Sequence, residues 1–353
     1  MRSCVVVPAR NEEVTLAPLI TALAGQHDLR GNPLDAASFE VVLLLNNCTD
    51  RTAEIARELQ RMYSGLRLHV ADVSFEPNEA HVGRARQALF DLAFARFQFL
   101  DRRAGLILTT DADSRPAPDW IAQTEAEIAT GVAGVGGRIL LEPAEQATLP
   151  VGVRRLFLLD IGYRRALEEL RSLYAPEAHD PFPRHHQHFG ASLAVTAAAY
   201  AEAGGMPLQR SCEDVALYRA IIESGGKFRH SHRVRVYTSA RVDGRAKGGL
   251  ADAIVWWNRQ ALDAAPVRVE NAAAADARLR RLGLWCLENP LGVPPAILST
   301  TPEPPLPAQA AEIHATLRAL RARIETLRPL ALPARLQPPG RNEKDIFLRA
   351  LAA

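Results

Sequence analysis

The sequence predicts an α/β fold built on a mostly parallel sheet with helices on both faces, and three observations carry that expectation. Short β-branched or leucine-rich runs alternate with helix-period segments through Gly131, and such alternation implies a parallel sheet covered by helices. The runs are apolar throughout instead of at every second position, as strands buried on both faces are. Each run ends in a loop carrying Asn, Asp, Glu or Arg, and ligands of open α/β sheets bind beyond the carboxyl ends of the strands.

The elements follow in order. "CVVVPA" precedes the helical "VTLAPLITALAGQ", "EVVLLLNN" precedes "RTAEIARELQRMY", "LRLHVADV" precedes "VGRARQALFDLAFARF", and "AGLILTTDAD" precedes "DWIAQTEAEIATG". Residues 1–115 thus read as a Rossmann-like, ligand-binding half. A second half, 116–260, contains "GVGGRILLEP", a helix around "LFLLDIGYRRALEELRSLY", the Pro/His loop "APEAHDPFPRHHQHFG" and a strand-like "ASLAVT". It continues through "AAYAEAGGMP" and the helix "EDVALYRAIIESG", stopped by Gly225 and Gly226, to a last strand "RVRVYTSAR". Residues 261–353 combine a Pro-dense spacer, "STTPEPPLPAQ", with the helix "AAEIHATLRALRARIETLR", and read as a helical C-terminal extension.

Composition narrows the function classes. With 353 residues, 48% of them hydrophobic, the chain can close a large core. Its 42 basic and 40 acidic residues leave a formal charge of +2, too weak a field to argue for nucleic acid, so an anionic partner must be held by a local site. Cys4, Cys48, Cys212 and Cys286 lack CxxC spacing and read as buried free thiols of a reducing compartment. The N-terminal "MRSCVVVPARNEE" has too short an apolar run for a signal peptide, and no segment reaches the roughly 20 apolar residues that span a bilayer. A cytoplasmic location is expected; peripheral membrane contact and a homo-oligomer stay open.

The strand ends hold the chemistry. Asp111 and Asp113 straddle Ala112, which places both carboxylates at one crevice while the residue between them turns away. Two hard oxygen donors suit Mg²⁺ or Mn²⁺ that keeps positions open for substrate phosphates; the alternative is a turn role in "DSRPAPDW". In "PARNEE", Asn11 also reads as a helix cap, and in "LNNCTDRT" Thr49 or Asp50 caps the next helix. No G-x-G-x-x-G and no Walker lysine occurs in these loops, which argues against dinucleotide oxidoreductases and P-loop enzymes. His185, His186 and His188 crowd one loop and read as polar lining. Trp256 and Trp257 read as core packing ahead of sugar or lipid stacking.

Taken in order, "VVVPARNEE", "VVLLLNNCTDRT", "GLILTTDADSRPAPDW", "HFGASLAVTAAAYAEAGGMP" and "CEDVALYRAIIESGG" resemble the family 2 glycosyltransferases of the GT-A fold across residues 3–245. The resemblance implies a GT-A domain over 1–260 and transfer of a sugar from a nucleoside-diphosphate sugar to a hydroxyl acceptor, assisted by Mg²⁺ or Mn²⁺. It implies nucleotide contacts at Pro8, Ala9, Arg10, Glu12, Asn47, Gly83, Arg84, Asp111, Ala112 and Asp113, with Arg86 next in line. Asn47 stands where the family has an aspartate facing the base, which leaves UDP and GDP both open as the donor nucleotide. The aspartate pair matches the family's DXD motif, with Asp113 the direct metal ligand and Asp111 reaching ribose or a metal-bound water. Asp214 would be the base of an inverting hexosyltransferase and Glu213 would orient the acceptor. Retaining enzymes of the fold also have acidic residues here, so the stereochemistry stays open. Gly190, His188, Arg241 and Arg245 would line the acceptor and diphosphate side, with His230 and His232 as second-choice metal ligands. Two rivals stand beside this reading: a sugar-phosphate nucleotidyltransferase, whose Gly-rich N-terminal loop is missing here, and a non-catalytic nucleotide-binding descendant.

Overall fold

The computed structural model describes residues 1–330 apart from 103, 245–248, 264 and 291. Eight strands, β1 (Ser3–Ala9), β2 (Phe39–Asn46), β3 (Leu68–Val73), β4 (Leu106–Thr109), β5 (Ser114–Pro116), β6 (Gly134–Leu141), β7 (Leu193–Thr196) and β8 (Phe228–Thr238), form one sheet. Their order is β3-β2-β1-β4-β7-β6-β8-β5. Strands β7 and β5 run against the other six, so the sheet is mostly parallel, as expected.

The apolar strands are covered on both faces. In β1, Val5, Val7 and Ala9 join one core with Leu16, Leu19 and Ile20 of helix Leu16–Ala24 and with Ala56 and Leu59 of helix Thr52–Met62. Cys4 and Val6 point the other way, into a core with Leu89, Phe90, Ala93 and Phe97 of helix Val82–Phe99. Every residue of β1, β2 and β4 is buried, which is why these runs show no alternation.

Several boundaries differ from the expectation. The turn-rich "DSRP" contains β5, an edge strand whose Pro116 is tolerated there because an edge needs no further ladder donor. β8 begins at Phe228, ahead of the apolar "RVRV", since buried Arg229, His230 and Ser231 pair with β6 despite their polarity. The first helix opens after Thr15, so Asn11 does not cap it. Asp50, one residue before the cap position at Arg51, accepts from the N–H of Thr52, the first helical residue, at 3.0 Å.

The chain divides into two compact units, Met1–Thr148 with Gln187–Ala253, and Leu149–His186 with the chain from Ile254 on. In the second, helices Val151–Tyr174, Ala272–Glu288 and Ile313–Leu327 bury Tyr163, Leu170, Leu279, Leu282, Leu320 and Ile324 against one another. Helix Val151–Tyr174, read from the sequence as part of the acceptor half, therefore shares its core with the C-terminal helices. Two short strands, β9 (Arg268–Glu270) and β10 (Ala310–Glu312), pair antiparallel in the same unit; each is too short to give a periodic signal. Among the described residues no helix is long and apolar enough to cross a membrane.

Candidate active site

The loops after β1, β2, β4 and β8 leave the sheet at one edge, and the first two are stitched together. Asn11 adopts a left-handed φ of 55°, a region Asn tolerates, and its Oδ1 accepts from the Thr49 N–H at 2.8 Å. The Glu13 N–H donates to Asp50 at 3.2 Å, the Arg51 N–H to Glu13 at 3.1 Å, and the Glu12 N–H to the Thr52 hydroxyl at 2.7 Å. Pro8 and Ala9 pair with Leu44 and Leu45 at the end of β1.

Glu12, presented by this brace, meets a segment distant in sequence. The Arg241 guanidinium, three residues past β8, donates to both Glu12 oxygens at 3.1 and 3.2 Å and lies 2.9 Å from Asp113 Oδ2. Asp111 accepts from Arg86 at 2.7 Å, and the other arm of Arg86 pairs with Glu213. Both Arg86 and Glu213 are buried. Gly190 packs directly on that guanidinium: a Cβ there would lie 2.4 Å from its central carbon, so only glycine fits. The Gly190 N–H donates to Asp214 at 2.6 Å, and the Val215 N–H to the other Asp214 oxygen at 2.7 Å. Cys212, which opens helix Glu213–Glu223, has a φ of 62°; a non-glycine residue held there costs about 1–3 kcal/mol, so the acidic pair is presented from a strained turn. Cys212 is exposed and Cys48 and Cys286 are half-buried, against the expectation of buried thiols, which Cys4 alone meets.

Four carboxylates (Glu12, Asp111, Asp113, Glu213) therefore pair with two guanidinium groups (Arg86, Arg241), and Asp214 adds a fifth negative charge close to Asp111. Ala112 between the aspartates is buried in the core, turned away as expected. Burial raises the Asp113 carboxyl to about 6, with the neighbouring Asp111 and Glu12 adding to the shift and Arg241 opposing it. Burial also raises Asp111, against the pull of Arg86 and with the push of Asp214. The excess of negative charge, on hard oxygen donors, fits a divalent cation. Among the described residues no three His, Cys, Asp or Glu side chains are grouped to hold a metal, so the fit is to a cation held by one or two carboxylates and completed by substrate phosphates.

A raised carboxyl makes a stability prediction with a defined sign. An aspartate titrating near 3.9 when unfolded and near 6 when folded favours the folded protein while protonated, and that contribution is lost as pH rises through about 6. Asp113's own contribution is expected to be lost between about pH 4 and pH 6, so the stability gained on replacing it, Asp113→Asn relative to wild type, should grow across that range. Urea midpoints measured across this range in both proteins check it; identical profiles would reject it.

The remaining expected residues fall into neighbouring contacts. Asn47, also left-handed at φ 51°, donates to the Phe75 carbonyl at 2.9 Å and accepts from the Phe75 N–H at 3.0 Å. An ionised aspartate could only accept, which gives the departure from aspartate a local reason. Arg10 donates to the Ala80 carbonyl at 2.7 Å, and the Arg84 guanidinium lies 5.7 Å from the centre of the Phe75 ring. Gly83 lets the start of its helix approach the Gln209 carbonyl, from which a Cβ would be 1.7 Å away. His188 stacks on Tyr218 with ring centres 3.9 Å apart, and its Nδ1 is 3.3 Å from Nε2 of His230. His185 is buried, and His232 exposed. Trp257 is buried edge-on to Phe157, whereas Trp256 is 45% exposed, so core packing accounts for one of the two. Arg245 lies outside the described residues.

The central place of Arg86 is what motif reading underweights. Its signal was present, because Arg86 falls on the buried stripe of its helix with Gly83, Leu89, Phe90, Ala93 and Phe97, where a charge requires a partner. The bridge from Glu12 to Arg241 spans 229 positions and has no local signature.

Sheet order and acidic crevice together define an α/β protein of GT-A type. Residues 4–174 match the model of glycosyl transferase family 2. Two solved structures are similar to the chain. S. aureus TarS 1–349 in complex with UDP is 16% identical, covering 80% of this chain and 71% of that one at a TM-score of 0.48. The mannosyltransferase PcManGT from Pyrobaculum calidifontis, in complex with GDP-Man and Mn²⁺, is 17% identical, covering 99% and 86% at a TM-score of 0.49. At these TM-scores they add no weight to the family match. No curated protein matches the chain.

Proposed function

We propose that the protein is a glycosyltransferase that moves a hexose from a UDP- or GDP-linked donor to a hydroxyl acceptor, with inversion. The observation that carries this is the convergence of Glu12, Asp111, Asp113 and Glu213, from three separate segments, on two arginines at the carboxyl edge of a parallel sheet, with Asp214 close to Asp111. Such a place suits a nucleotide-sugar.

Asp214 is the base. Each of its oxygens accepts one backbone N–H, which fixes the carboxylate and leaves lone pairs for the acceptor's proton. The acceptor oxygen bonds to the anomeric carbon as the bond from that carbon to the diphosphate oxygen breaks; the hydroxyl proton goes to Asp214 and the electron pair leaves with the nucleoside diphosphate. Asp113 and Asp111 would hold Mg²⁺ or Mn²⁺, which when bound neutralises charge on the departing diphosphate. Glu213, tied to Arg86, holds the guanidinium that aligns Asp111. Arg241 supplies a mobile positive group on the diphosphate side. Residues 1–260 would supply the transferase domain.

A thermal-shift panel of UDP, GDP and TDP with and without Mn²⁺ tests this. A ligand at 100 times its Kd stabilises the folded state by about 2.7 kcal/mol, so one diphosphate is expected to raise the melting temperature by several degrees in the presence of Mn²⁺. No shift with any of the three would overturn the reading.

A further inference from the structure

We propose that Arg241 is an internal counter-ion that competes with a divalent cation for the carboxylates of Asp113 and Glu12, so that cation and nucleoside diphosphate bind as a coupled pair. The inference rests on the glycosyl-transfer reading for the identity of the diphosphate, and on the geometry for the competition. One guanidinium spans both carboxylates, 3.1 and 3.2 Å from the Glu12 oxygens and 2.9 Å from Asp113. A cation using Asp113 would meet that positive charge at contact distance, and like charges at such a separation repel strongly in a partly dehydrated site.

The two arginines of the site differ in their freedom to yield. Arg86 is enclosed: its side chain is 4% exposed, Glu213 is 2% exposed, and Gly190 is packed on its guanidinium. Arg241 is on a segment outside the sheet and its side chain is 23% exposed. The backbone around it is braced at its root, where the Ala240 N–H and the Ser239 hydroxyl donate to Glu145 at 2.6 and 2.9 Å. The anchor therefore stays while the long side chain swings. A planar guanidinium pairs with phosphate oxygens as readily as with carboxylates. A bound diphosphate thus draws Arg241 off Asp113 and Glu12 and frees them for the cation. Coupling of this kind is reciprocal: the cation favours the diphosphate by the same factor.

The test is Mn²⁺ affinity, read from the electron paramagnetic resonance signal of unbound Mn²⁺, for the full chain and for Arg241→Gln and Arg241→Lys. Without nucleotide, Arg241→Gln is expected to bind Mn²⁺ about tenfold or more tightly than wild type, the usual scale of such coupling, and Arg241→Lys to stay near wild type because it keeps the charge. Adding the nucleoside diphosphate is expected to tighten Mn²⁺ binding in wild type and to do so much less in Arg241→Gln. Unchanged or weaker Mn²⁺ binding by Arg241→Gln, with its melting temperature showing it folded, overturns the proposal. Should the glutamine variant be unfolded, Arg241→Met takes its place in the nucleotide-free comparison, and tight nucleotide-independent Mn²⁺ binding by wild type overturns the proposal equally. The two readings fail separately: absent binding of any nucleoside diphosphate removes the glycosyl-transfer reading, while the nucleotide-free Mn²⁺ comparison still decides the competition.

Discussion

Arg86→Leu is expected to destabilise the protein by about 3–5 kcal/mol, the cost of leaving a buried charge without its partner. The charge in question is Glu213, which is buried and paired with Arg86, while Asp111 loses its 2.7 Å contact at the same time. Leucine fills part of the volume but offers no donor to either carboxylate. Replacing Arg86 and Glu213 together, as Arg86→Leu with Glu213→Leu, is expected to recover most of the loss, because the desolvated charge goes with its partner. Urea denaturation of the two single variants and the double variant measures the coupling. A single variant within about 0.5 kcal/mol of wild type, the range of ordinary surface changes, would show that Arg86 does not hold the site.

Asp214→Asn is expected to lower kcat by about 10²–10⁴-fold, the usual contribution of a positioned base. The affinity for the nucleoside diphosphate should be little changed, because Asp214 is tied to Gly190 and Val215 and has no contact with the Glu12, Asp113 and Arg241 group. Asparagine keeps one carbonyl oxygen and presents an NH₂ in place of the other, so one of the two backbone donors loses its acceptor at a cost of about 1–3 kcal/mol. The assay therefore belongs well below the variant's melting temperature. Release of nucleoside diphosphate from the donor that shifts the wild-type melting temperature gives the rate. A variant within tenfold of wild type on that measure would remove Asp214 from the base's role, leaving it as the group that positions Gly190.

Much of the architecture was legible because both faces of the sheet are covered. Runs such as Val5–Val7 and Val41–Leu45 have no solvent side, and continuous apolar strands between helical periods admit few other arrangements. Strand β5 was not legible, since Ser114–Pro116 is short, polar and placed at the edge. Nor was the membership of helix Val151–Tyr174: its apolar stripe indicates that Leu167 and Leu170 are buried, but periodicity says nothing of which helices bury them. At the site, Asp111 and Asp113 were visible from their place at a strand end, and Glu213 and Asp214 from theirs at a helix start. Arg86 and Arg241 were visible as candidates, but not which acids they pair with, because they reach these acids through folding and the chain between them bears no mark of the contact.

Strand β4 has one consequence for how the chain is made. Its neighbour on one side, β1, precedes it in synthesis, while β7 on the other side, Leu193–Thr196, emerges only after the whole intervening stretch that includes helix Val151–Tyr174. A nascent polypeptide halted anywhere in that stretch carries an apolar strand with one row of backbone groups open, the kind of edge that recruits other chains. Translation therefore passes through an interval in which a folding helper that shields β4 would matter most, and that interval closes when Leu193 leaves the ribosome and reaches Thr109.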